Sequence, residues 1–252
     1  VSDPIVSHTV LPAKVDASAI TTSPNRRAPF GWPVFALDDH QPAYLAFRQK
    51  LSHRAHLRLA VALDVRTPAT LSVQLTKTKQ TLCEVDLGYA SPLQLVDIQF
   101  TAEQAAEVST QGLSISRSDP ADPKQHDRRL FFFNSDETYA TFAPRLLAPA
   151  KVEPLAAFMA RLASPASLAP FGWMQASVLD ALIDLKQTKV IQSHVEHFFD
   201  TSMAAYEDTY SRPQDGRVHG IETCAMYACL GRVAPNHPML DQCLAYLQER
   251  RQ

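Results

Sequence analysis

Leu57-Arg58-Leu59-Ala60-Val61-Ala62-Leu63-Asp64-Val65 is the stretch whose reading decides the fold. Leucine or valine fills every odd position, and Arg58 and Asp64 fall on the even ones. That is the period-two pattern of a strand with one face buried. The pattern recurs outward from it: Leu71–Val73–Leu75, then Leu82-Cys83-Glu84-Val85-Asp86-Leu87, then Leu93–Leu95 running into Val96-Asp97-Ile98-Gln99-Phe100. Leu113–Ile115 and Leu130-Phe131-Phe132-Phe133 follow. Thr67-Pro68, Ser91-Pro92 and Asp119-Pro120 supply turns between the runs. A short helix is expected from Thr101 to Val108, with Thr101 capping it and Gln104 three residues on to complete a capping box. Short strands at close spacing from about Tyr44 to Phe133 point to an antiparallel β-sandwich, jelly-roll-like, with one polar and one buried face.

The period changes from Glu153 onward. Leu155–Phe158–Met159–Leu162 keeps helical spacing, as do the runs from Trp173 to Leu185, Val190 to Phe198, Ile221 to Leu230 and Met239 to Leu247. Breakers at Ser164-Pro165, Thr188, Arg212-Pro213, Asp215-Gly216 and Pro235-Asn236 make these helices of ordinary length with short connections, hence antiparallel neighbours. Pro238 fits the first turn of the last helix, with Asn236 or His237 as its cap. The expected fold class is therefore α+β in two domains. An extended segment covers residues 1–40, a β-sandwich 41–148 and an α-helical hairpin domain 149–252.

Composition narrows the function. The 252 residues carry 24 Lys+Arg against 26 Asp+Glu, a net charge of −2, so no basic excess exists to neutralise a nucleic-acid backbone. No apolar run approaches the roughly 20 residues that span a bilayer, so no membrane insertion is expected. Glycine is scarce, 7 against 18 prolines, and no phosphate-cradling loop occurs. No G-x-S-x-G is present, and the cysteines form no C-x-x-C pair, so they read as buried free thiols. The chain opens at Val1 without a charged-then-apolar leader. It is periplasmic or secreted if a leader was removed, and otherwise cytoplasmic. Nothing bears on oligomeric state.

Phe171-Gly172-Trp173-Met174-Gln175-Ala176-Ser177-Val178-Leu179-Asp180-Ala181-Leu182 resembles the opening helix of six-hairpin (α/α)-barrel glycoside hydrolases. The unsaturated rhamnogalacturonyl and glucuronyl hydrolases are the most similar. Asp215-Gly216-Arg217-Val218-His219-Gly220-Ile221-Glu222, followed by a helix and Pro235-Asn236-His237-Pro238, resembles a second hairpin of such barrels. The resemblance covers residues 170–250. It implies that the polar residue opening an inner helix faces a sugar-binding hollow. A six-hairpin barrel has twelve helices, however, and only four or five fit between Glu153 and Gln252. Either the helical half is part of a larger (α/α) toroid or it is a small bundle of another kind.

The densest polar cluster is Asp208, Tyr210, Arg212, Asp215, Arg217, His219 and Glu222. Glycoside hydrolysis needs a carboxylic proton donor, commonly paired with a second carboxylate. The hydrolases that this chain resembles instead protonate a vinyl ether and add water, which one acid and a water-positioning partner can do. Glu222 is the candidate acid, with Asp215 and His219 orienting or binding. Arg212 and Arg217 suit a uronate carboxylate, and Tyr210, Trp173 and Trp32 suit the sugar. Against this, Glu222 also reads as a first-turn carboxylate complementing a helix dipole.

Two further patterns are weaker. His194-Val195-Glu196-His197 has i, i+3 spacing, which does not match H-E-x-x-H, so it reads as two ordinary surface histidines, with no metal and no cofactor expected. Arg48, Lys50, His53, Arg54, His56 and Arg58 read as a solvated loop and outward strand face, or as a contact for an acidic polysaccharide. Ala28-Pro29-Phe30-Gly31-Trp32 recurs as Ala169-Pro170-Phe171-Gly172-Trp173 with nothing matching around it.

Two expectations follow. One is a carbohydrate-active hydrolase acting on uronic-acid-containing or unsaturated oligosaccharides by carboxyl acid/base catalysis. The alternative is a non-catalytic carbohydrate-binding or accessory protein that uses aromatic platforms such as Trp32 on the sandwich. The partner in both is an oligosaccharide or polysaccharide.

Overall fold

A computed structural model describes residues 8–17, 32–37, 41–119, 128–134, 142–149, 154–199, 216–218 and 220–250. These fall into two compact units, the first ending at Ala157 and the second beginning at Phe158.

Among the described residues the first unit holds ten strands and one helix. In chain order they are β1 (His8–Asp16), β2 (Val34–Leu37), β3 (Ala43–Phe47), β4 (Ala55–Ala60), β5 (Thr70–Leu75), β6 (Thr81–Asp86), β7 (Leu95–Phe100), α1 (Ala102–Gln111), β8 (Leu113–Arg117), β9 (Leu130–Phe133) and β10 (Arg145–Pro149). Eight strands form one antiparallel sheet in the order β6-β5-β8-β3-β1-β10-β4-β7, and β2 pairs with β9 in a separate ladder.

This corrects the expected fold class, a jelly-roll-like β-sandwich followed by an α-hairpin domain. The reason is β1. Its first half, His8–Pro12, pairs with β10, and its second half, Ala13–Asp16, pairs with β3 on the other edge. Without β1 the ladders β10-β4-β7 and β3-β8-β5-β6 would be two sheets; with it they are one. Pro12 sits where the partner changes, a position at which a missing N–H is tolerated. The same proline breaks the alternation that would have marked β1 as a strand.

The sheet curls into a barrel-like form. Helix α1 lies against β3 and β5 from one wing and β4 and β7 from the other. In a flat sheet β5 and β7 would stand about 29 Å apart, roughly twice the 15 Å length of a ten-residue helix. Ladder β2–β9 likewise touches β3 and β8 through one strand and β4 through the other. The apolar alternation fills the enclosed volume: Leu57, Leu59, Val61, Leu71, Val73, Leu75, Leu113 and Ile115 are fully buried. Each such side chain contributes about 1.5–3 kcal/mol. Thr101 caps α1 as expected, accepting from Gln104 N–H at 3.2 Å while Gln104 Oε1 accepts from Thr101 N–H at 3.0 Å.

The decisive stretch leaves the ladder at Ala60, where its one-face alternation ends, since Ala60, Val61, Ala62 and Leu63 are all buried, and other partners take over the backbone. Val61 N–H donates to Gln94 O, Ala62 N–H to Phe131 O and Val65 N–H to Ala90 O. The partner segment 87–94 consists of two consecutive turns, closed by Ala90 N–H to Leu87 O and by Gln94 N–H to Ser91 O. Each places a non-glycine at positive φ in its third position, Tyr89 at 62° and Leu93 at 64°. Turns of this type favour glycine there, and a side chain in that region costs roughly 1–2 kcal/mol.

The second unit is helical. Its elements are α2 (Pro154–Leu162, which straddles the boundary), a 3-10 turn at Pro165–Ser167, α3 (Trp173–Asp184), α4 (Thr188–Phe199), α5 (Ile221–Val233) and α6 (Pro238–Glu249). All five helical runs are where their spacing predicts. His237 caps α6, its Nδ1 accepting from Met239 N–H at 3.2 Å, with Pro238 in the first turn. The packing order differs from a series of antiparallel neighbours. Helix α3 packs chiefly against α5, not its sequence neighbour α4. The two run parallel: Gly172 lies beside Glu222, Cys229 Sγ contacts Ala176 O at 3.5 Å, and Arg232 near the end of α5 pairs with Asp180 and Asp184.

Candidate functional site

Because α3 and α5 run the same way, their N-termini form one common head. Gly172 caps α3 with φ of 127°, and a Cβ there would stand 3.8 Å from Glu222 Cβ. Gly220 caps α5. Neither helix has a side-chain cap. Trp173 is 59% exposed, and Ile221 and Glu222 at the start of α5 are exposed as well.

The residue before Gly172 enters an aromatic cluster. Phe171 is buried among Phe198, Phe199 and Tyr227, with ring centroids at 5.7, 5.7 and 6.4 Å. Beside it runs a buried polar chain. Ala169 N–H donates to Gln175 Oε1 at 2.7 Å, and this contact orients the amide. Gln175 Nε2 then donates to His194 Nδ1 at 2.8 Å. His194 must therefore carry its proton on Nε2, facing Ser167 Oγ at 3.3 Å, and Ser167 donates onward to Ser164 O at 2.7 Å. Burial, with a smaller push from His197, lowers the His194 pKa to about 3.

That chain settles two chemistries. A Ser–His pair needs a ring nitrogen free to take the serine proton, and here the nitrogen facing Ser167 already holds one. A metal needs a lone pair, and the one on Nδ1 is engaged by Gln175. His194 is fully buried rather than on a helix surface, contrary to the expectation for the His194–His197 pair. Among the described residues no cluster of His, Cys, Asp or Glu is arranged to hold a metal ion. Burial raises the thiol pKa of Cys83, Cys229 and Cys243, which disfavours thiolate chemistry. Cys224 is exposed and Cys83 only half-buried, so the thiols are not uniformly interior.

Of the other sequence candidates, Tyr210, Arg212, Asp215 and His219 lie outside the described residues. Arg217 is exposed just before α5. Gly216, with φ of 81°, fixes its approach: a Cβ there would meet Gln242 Cβ at 2.4 Å. Trp32 is elsewhere, in the first unit, 6% exposed, with Phe133 and Phe142 rings each 5.4 Å from its own. It has no free face for a sugar.

In the basic run, Arg48, Lys50, His53 and Arg54 are exposed on the β3–β4 loop, which Leu51 pins by donating its N–H to Ser109 Oγ at 2.9 Å. Arg58 is committed to Asp97 through two bonds of 2.7 Å. A second charged cluster is structural. Asp119 accepts from Arg117 at 2.6 and 2.7 Å, from Arg128 at 3.1 Å and from Thr70 N–H at 3.0 Å. Burial alone would raise its pKa, but these donors prevail and lower it.

Comparison with known proteins adds no assignment. No protein-family model matches the chain, and no curated protein matches it either. No helix among the described residues is long and apolar enough to cross a membrane. The Gln175–His194 pair was not read from the sequence as a unit. The two residues are nineteen apart on different helices, and nothing in either helix's own pattern links them.

Proposed function

We propose that this is a carbohydrate-active protein that meets its glycan at the shared head of α3 and α5. The observation that supports the reading is the exposed Trp173 that follows Gly172, where a Cβ would stand 3.8 Å from Glu222 Cβ. Sugar rings have apolar faces that stack on indoles and hydroxyl rims that hydrogen-bond carboxylates. The substrate class is an oligosaccharide ending in an unsaturated or ordinary uronic acid. Arg217 and the uncapped helix ends attract its carboxylate.

In the catalytic form of this reading, Glu222 gives its proton to the vinyl-ether carbon. Water adds its oxygen to the adjoining carbon and returns a proton to the carboxylate. Acid catalysis of this kind is strongest in a water-excluded site, and Glu222 is exposed. That exposure favours a second reading, in which the same head holds glycan without cleaving it.

Calorimetry with unsaturated uronyl oligosaccharides, paired with a product assay, tests both. Trp173→Ala is expected to weaken binding about tenfold, and Glu222→Gln to abolish turnover while leaving binding measurable. Binding without product in the unaltered protein selects the second reading. Full turnover in Glu222→Gln removes Glu222 from the chemistry.

A further inference from the structure

Segment 87–94 holds two turns of one kind with opposite side-chain fates. Leu93 occupies its positive-φ position with its side chain 5% exposed, so burial offsets the backbone strain. Tyr89 occupies the equivalent position with its side chain 72% exposed, and the fold recovers little from the ring. Glycine is next to it, at position 88, one place too early to relieve it.

The turn is held from several directions. Leu87 N–H donates to Ala69 O, Gly88 N–H to Asp86 Oδ1 at 2.8 Å, Ser91 N–H to Gln94 Oε1 at 2.9 Å, and Leu93 N–H to Val61 O at 2.8 Å. The strained backbone is over-determined, as such positions are at functional sites. A single exposed aromatic is ordinary; one held at positive φ on a braced turn is not.

The surroundings indicate the ligand. Val65 N–H to Ala90 O brings the Asp64–Arg66 segment alongside the turn. Arg66, 66% exposed and bonded to Asp64, offers a guanidinium there. Within segment 87–94 the other apolar residues, Leu87, Ala90, Pro92 and Leu93, are all buried, so the turn itself adds no exposed apolar side chain beside the ring. An exposed phenol face and an exposed guanidinium, each one residue from the Val65–Ala90 backbone bond, fit a sugar ring bearing a carboxylate.

We infer that Tyr89 and Arg66 form a second glycan contact, on the sheet unit, selective for uronic acid residues. This rests on the reading of the protein as glycan-binding but not on the helix head being the site. Affinity electrophoresis and calorimetry with polygalacturonate, and with neutral hydroxyethylcellulose as control, test it on the full chain.

Tyr89→Gly is expected to raise the melting temperature by about 2–4 °C while weakening polygalacturonate binding about tenfold. Arg66→Ala is expected to reduce polygalacturonate binding and its salt dependence. Unchanged binding in Tyr89→Gly, with loss in Trp173→Ala, overturns this inference and leaves the helix-head reading standing. The reverse pattern supports it and removes the helix head. No binding of either polysaccharide by the unaltered protein overturns both, and a fall in melting temperature for Tyr89→Gly shows the ring to be structural.

Discussion

Trp32 and Trp173 each close a copy of Ala-Pro-Phe-Gly-Trp, yet one indole is packed away at 6% exposure and the other stands open at 59%. The difference lies in what each unit offers. Trp32 leads into β2, whose partner β9 supplies a wall of phenylalanines. Trp173 begins a helix, and the aromatic cluster on its side is already filled by the preceding Phe171. Identical words thus serve as filling in one context and as surface in the other.

The strongest way to break this comparison is truncation. Trp32→Ala should cost about 3–5 kcal/mol, read as a lowered urea midpoint. An equal loss from Trp173→Ala would show that the second indole is covered as well.

Acid sharpens it next. Folded His194 takes a proton only near pH 3, against 6.5 for the ordinary group. Between those values the unfolded chain binds the extra proton, so stability is complete above about pH 6.5 and falls by up to 1.4 kcal/mol per pH unit below it. His197, lowered mainly by burial, acts in the same direction. In the sheet unit the lowered Asp119 makes its contribution vanish only as pH drops below the usual carboxylate range. With only 2 tryptophans in the chain, single-Trp variants report each unit. The Trp173 signal should change at higher pH than the Trp32 signal, and coincident transitions would contradict the assignment of His194.

Smaller effects follow. Gly172→Ala imposes φ near 127° on a Cβ-bearing residue and should cost about 1–3 kcal/mol, turning Trp173 and weakening glycan binding with it. Thr101→Ala, which removes a capping box far in sequence from either indole, should cost about 1 kcal/mol and leave binding unchanged. Trp173→Ala should alter stability by no more than about 0.5 kcal/mol, measured by the same urea titration.

Periodicity made most elements legible. The Thr101–Gln104 box and the Pro238 helix start describe local physics and are found where the pattern puts them, whereas the Leu57–Val65 alternation makes a strand only as far as Ala60. Topology was not legible, because a strand crossed by Pro12 carries no alternation signal and its partners lie in distant parts of the chain. The candidate site divides similarly. Trp173 and Glu222 were visible as residue types, but their adjacency depends on two helices lying parallel, which no spacing within either helix encodes. Trp32 looked like a platform because nothing nearby in sequence announces the rings that bury it.

The strand shared between the two wings also sets an order of events. Its first half pairs with a strand that ends at Pro149, so during synthesis residues 8–12 stay without that partner until residues 145–149 have been made. Such high contact order implies slow folding and prolonged exposure of sheet edges. Domain exchange through that strand is the natural hazard, since an identical strand from a second molecule fits the same gap.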